Sequence, residues 1–103
     1  MVYQQGDVLL MGINELPKEL KKQGNGLLAE GEATGHAHKV NPVDLSGVDV
    51  FCDDKGNVFV DARKEFSVVH EEHKTITLPA GKYETRIVKE YDHFAEEARK
   101  VRD

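Results

Sequence analysis

Four of the chain's five histidines fall into two short clusters, His36-Ala37-His38 and His70-Glu71-Glu72-His73. Imidazole is the side chain whose unperturbed charge changes near neutral pH, and it is the commonest metal ligand. Two such clusters in one short chain point to a site. A histidine pair at i and i+2, joined by one or two ligands from elsewhere, suits zinc or another first-row divalent ion such as nickel, manganese or iron. The ligands expected on this reading are His36, His38, His70 and His73. Glu32, Glu71 and Glu72 are the carboxylates placed to complete the set. No organic cofactor is indicated, because Gly31, Gly35 and Gly81 lack phosphate-loop spacing.

The same residues allow two other readings. Two imidazoles facing one cleft can act as general base and general acid without a metal, as in phosphodiester cleavage, if their surroundings separate their pKa values. Lys39 or Arg86 would then stabilise an anionic oxygen. Alternatively, the chain is a non-enzymatic interaction module whose clusters lie at a partner surface. Residue types alone leave open whether this is an enzyme. A small-molecule ligand at the histidines is one expected partner. A second copy of the chain, paired through an exposed strand edge, is another.

Other reactive side chains carry less. Cys52 stands beside Asp53 and Asp54, an anionic neighbourhood that disfavours a thiolate. His93 reads as solvated, and Lys18, Lys21 and Lys22 as a solvated loop face. No nucleophile elbow is present.

The elements that must position the histidines are short and β-rich. Val8 to Ile13 reads as a buried first strand. Asn14 to Gly26 is polar, with room for a short helical turn near Pro17. Leu27 to Ala29 is a second strand, 31–35 a loop, and His36 to Val40 is extended up to Asn41-Pro42. Val48 to Cys52 and Val58 to Ala62 flank Asp53-Asp54-Lys55-Gly56-Asn57 and form a hairpin. Phe66 to His70 and Thr75 to Leu78 follow, the second stopped by Pro79-Ala80-Gly81. Lys82 to Tyr91 alternates, with Tyr83, Thr85, Ile87 and Tyr91 on one face. Tyr91, Phe94, Ala98 and Val101 then recur at helical spacing, so the spacing predicts a helix over 92–102, with Asp92 as N-cap.

Side chains two apart on a strand share a face. His36 and His38 therefore travel with Val40, and His70 with Phe66 and Val68. If those apolar residues point inward, three imidazoles meet at one end of the core. His73 falls in a turn that can close over them. About eight short strands with one terminal helix make an all-β fold, a small antiparallel barrel or sandwich with a C-terminal helix.

At 103 residues, the chain is expected to be one domain, 1–103. A net charge of −5 argues against a nucleic-acid partner. No apolar run is long enough to span a membrane, and Met1 to Asp7 has no signal-peptide character. The single cysteine cannot form an internal disulfide, and together these features point to the cytoplasm.

Nearly the whole chain resembles a group of small uncharacterised proteins from bacteria and their phages. The likeness rests on Gln5-Gly6-Asp7-Val8-Leu9-Leu10, on Gly31-Glu32-Ala33-Thr34-Gly35-His36-Ala37-His38, on His70-Glu71-Glu72-His73, and on Leu78-Pro79-Ala80-Gly81-Lys82-Tyr83. It brings no activity with it. A partial likeness to cupins, metal-holding β-barrels, rests on Gly31 ahead of His36-Ala37-His38 and on Pro79-Ala80-Gly81. Gly31 stands one residue too close to the histidines. No glutamate follows them at the cupin distance, and Glu84 occupies the place of the second cupin motif's histidine. This likeness implies a cupin-like barrel and carries over only His36 and His38 as ligands.

Overall fold

Short runs of Val, Ile, Leu and Phe, broken by Gly, Pro and Asp, favour strands over helices. The computed structural model describes residues 1–30 and 36–88 and has ten strands there. In chain order these are β1 (Val2–Gln5), β2 (Val8–Ile13), β3 (Lys21–Gln23), β4 (Leu27–Glu30), β5 (Ala37–Val40), β6 (Val48–Cys52), β7 (Val58–Ala62), β8 (Phe66–Val69), β9 (Ile76–Leu78) and β10 (Gly81–Ile87). A 3-10 turn, Pro42–Gly47, joins β5 to β6 and is capped by the Asn41 side chain.

Six strands form one sheet in the order β1-β2-β10-β7-β6-β3, and four form a second in the order β4-β5-β8-β9. Every strand pairing is antiparallel. The all-β expectation holds and the arrangement is sandwich-like. The closed barrel does not form, because the strands divide between two sheets, each with its own edges. Between the sheets lies one apolar cluster that includes Val8, Leu10 and Val60 from the larger sheet and Val40, Phe66 and Val68 from the smaller. Val8, Leu9 and Leu10 are all fully buried, so β2 is covered on both faces. Leu9 packs with Val2, Met11 and Val88 on the side away from the main core.

The expected β6–β7 hairpin forms, with Val48 opposite Ala62 and Cys52 opposite Val58. Its turn is built by Asp53, whose carboxylate accepts from the backbone N–H groups of Lys55 at 2.9 Å and Asn57 at 2.8 Å. Gly56 supplies the left-handed backbone the turn requires, with φ of 86°.

Several expectations change. Val8–Ile13 is the second strand, not the first, since β1 precedes it and pairs with it. No helical turn forms near Pro17. Glu19 takes a left-handed φ of 64°, which breaks a right-handed turn, and Lys21 and Lys22 lie on β3 rather than in a loop. On β10 the alternation holds at buried Tyr83, but Ile87 is 45 % exposed. The loop over 31–35 with Glu32, the strand's continuation to Tyr91, the helix over 92–102 and His93 lie outside the described residues. No helix among the described residues is long and apolar enough to cross a membrane.

Candidate functional site

The two histidine clusters meet at one end of the smaller sheet. β5 carries His38, whose inward neighbour two residues on is Val40; both are 1 % exposed. β8 ends at Val69, and the bend that follows carries His70, Glu71, Glu72 and His73 toward β9. The pairing of β5 with β8, Lys39 opposite Val69 and Val40 opposite Val68, sets the two segments side by side. Parity holds within the strands, with His38 and Val40 buried and Lys39 exposed on β5 and with Phe66 and Val68 buried and Val69 only partly so on β8, while His36 and His70 lie just outside those strands.

The ring of His38 lies 4.3 Å from that of His70, centroid to centroid, and 5.7 Å from that of His73. His70 and His73 are 4.6 Å apart. Each of these three rings offers a nitrogen within 4.8 Å of those offered by the other two. His36 stands at the rim, its ring edge-on to His70 at 5.7 Å. Its Nδ1 lies 2.6 Å from Glu72 Oε1, a close approach whose angles fall outside hydrogen-bond geometry. His36 is thus in contact with the cluster but outside the three converging nitrogens.

The neighbouring carboxylates are already engaged. Glu71 Oε1 accepts the Ala37 backbone N–H at 2.9 Å, and that bond holds the Glu71 carboxyl below the usual carboxylate range. Glu72 faces His36 and also offers its backbone N–H to His70 Nδ1 at 3.0 Å. A carboxylate the sequence reading passed over, Asp7, reaches the cluster instead, with Oδ1 3.5 Å from His38 Nε2. Asp7 sits in the β1–β2 turn with Gly6, whose φ is 58°. The Gln4 amide braces this turn by donating to the Gly6 carbonyl at 2.7 Å. A Cβ at position 6 would stand 2.6 Å from His73 Nε2, so the missing side chain is what lets His73 fold over the site.

His38 is the pivot. Its Nδ1 lies 2.8 Å from Oε1 of Gln5, a residue only 3 % exposed. The Gln5 amide nitrogen donates to the carbonyls of Val68 at 2.8 Å and Lys74 at 3.0 Å. Burial pushes the His38 imidazole down to about 4; His70 and His73 push the same way and Asp7 pulls against them. His38 is therefore neutral at pH 7, the form in which imidazole ligates metals. Gln5 and Asp7 were both missed by sequence reasoning. Both lie at the polar turn of the first hairpin, and only the pairing of distant strands brings them to the histidines. The available signal was Gln5-Gly6-Asp7 itself, a polar turn directly before the most apolar strand.

Cys52 ends β6 in the other sheet, paired across from Val58 and Lys21. A separate cleft of about 650 Å³ opens between β4 and β10; its lining includes Leu28, Glu30, Asn57 and Arg86, and no described histidine.

Residues 4–88 match the family model described as a domain of unknown function, DUF8820. Comparison with curated proteins and with solved structures gave no match.

Proposed function

We propose that this chain, which belongs to the DUF8820 family of domains of unknown function, binds a divalent first-row transition metal through His38, His70 and His73. The convergence of three imidazole nitrogens, one of them on a buried neutral ring, carries the proposal. An all-nitrogen donor set with no thiolate suits zinc, nickel or iron better than the hard cations magnesium and calcium. Zinc-bound nitrogens at about 2.0–2.1 Å stand roughly 3.3 Å apart in a tetrahedron. The present separations of up to 4.8 Å therefore close by up to about 1.5 Å on loading. His70 and His73 lie on a bend outside the strands and can supply that movement, while His38 stays fixed in β5. Three protein ligands leave a position for water or a small ligand. His36, facing Glu72, flanks the centre.

The test is metal analysis of protein purified without a histidine tag, followed by zinc titration. The expected result is a single bound ion per chain. His38→Ala and His73→Ala should each lower affinity by more than the roughly 10–100-fold that loss of an outer partner costs. Protein that retains no zinc, nickel, manganese or iron after incubation with each would overturn the proposal.

A further inference from the structure

The geometry points to Gln5 as the positioning residue of this site: its amide locks His38 as the Nδ1–H tautomer and so presents the Nε2 lone pair, opposite Asp7, to a cation. The first step is forced by hydrogen-bond chemistry. Carbonyl oxygens only accept, so the two contacts to Val68 O and Lys74 O identify the Gln5 group facing them as the NH₂. The Gln5 oxygen must then face His38, and an oxygen acceptor 2.8 Å from Nδ1 requires a proton on Nδ1. A neutral imidazole carries only one such proton, so Nε2 holds the lone pair.

That lone pair faces the Asp7 carboxylate at 3.5 Å. Two acceptors confront each other there, and a positive charge between them satisfies both. Metal-bound histidines usually give their other ring N–H to a carboxylate or carbonyl, which fixes the tautomer and raises ligand basicity. Gln5 supplies that partner from a strand of the opposite sheet, and its two amide donors anchor it to both ends of the bend that carries His70 and His73. The second half of the inference, delivery of Nε2 to a metal, rests on the proposed metal site. The first half, the tautomer, does not.

The experiment is nitrogen-15 NMR of the histidine rings in metal-free protein, with zinc titration, for the native chain, Gln5→Leu and Gln5→Glu. The native His38 should show protonated Nδ1 and bare Nε2. Gln5→Leu should shift His38 toward the Nε2–H form and weaken zinc binding about 10- to 100-fold. Gln5→Glu removes both amide donors but keeps an oxygen facing Nδ1. It should retain the tautomer and most of the zinc affinity while losing stability, which separates positioning from mere structural support. A native His38 protonated at Nε2 overturns the inference even if neither variant folds. So does a Gln5→Leu protein with unchanged tautomer and zinc affinity. If the native tautomer is as stated but no zinc binds, the metal proposal falls and the Gln5 assignment of His38 stands.

Discussion

His38 couples folding to pH in a direction fixed by its surroundings. Its imidazole is pushed down to about 4 in the folded chain from an ordinary value of about 6.5, with burial the largest cause. Between those values the unfolded chain holds a proton that the folded chain rejects, so acidification favours unfolding. Above about 6.5 neither state binds the proton and this residue contributes no pH dependence. Falling through the whole window costs the metal-free protein about 3 kcal/mol. The urea midpoint of the native protein should therefore drop between pH 7 and pH 4.5 more steeply than that of His38→Gln. Parallel slopes for the two proteins would contradict the burial of a neutral ring. Gly6 offers a second test at the same scale. In Gly6→Ala the new Cβ meets His73 Nε2 at 2.6 Å in a left-handed backbone position. The backbone alone costs about 1–2 kcal/mol, and the displaced His73 should weaken zinc binding as well, measured by titration of the still-folded fraction.

Among the elements, the bend between β8 and β9 is where ligand binding and local structure compete. Nδ1 of His70 accepts the Glu72 N–H, so its lone pair is in use. A metal on Nδ1 displaces that N–H directly. A metal on Nε2 moves the ring proton to Nδ1, which then confronts the N–H as a second donor. In both cases the Glu72 amide loses its acceptor, whereas the Ala37 amide keeps the Glu71 carboxylate. Zinc should therefore speed hydrogen exchange at Glu72 and leave Ala37 unchanged, as amide-resolved exchange would show. An unchanged Glu72 amide in zinc-loaded protein would remove His70 from the ligand set. The sequence disclosed elements unevenly for physical reasons. The β6–β7 hairpin was legible because Val-rich runs flank a five-residue turn with Asp and Gly, both local signals. β1 was not, since its buried residues include Gln4 and Gln5, and polar side chains do not announce burial. β3 was hidden for the opposite reason, being polar, three residues long and mostly exposed.

For the whole molecule, two sheets share one apolar layer, and that layer fixes the distance between the first hairpin and the histidines. Phe66 is 1 % exposed and contacts Tyr83 across the layer, ring centroids 5.7 Å apart. Phe66→Ala should cost about 3–5 kcal/mol of a total stability of roughly 5–15 kcal/mol. Its thermal midpoint should fall by about 15 °C or more, with zinc binding lost in step with folding. A small shift would mean that the layer repacks around the gap. At this scale the sequence reading captured the meeting of His38 with His70 through strand parity, and the all-β class through run lengths. It could not place Asp7 or Gln5 beside them, because strand order within a sheet is decided by packing between distant segments. Glu71 and Glu72 illustrate the same limit. Their charge and spacing suited ligands, yet one carboxylate clasps the Ala37 amide and the other faces His36. One of the two outer strands of the larger sheet, β3, has a further consequence. It offers only three residues, with Lys21 and Lys22 both exposed and Lys22 paired to Asp49 at 3.0 Å. An incoming chain meets a short ledge of lysine side chains there, so that flank is guarded against the ribbon-by-ribbon growth that seeds insoluble fibres.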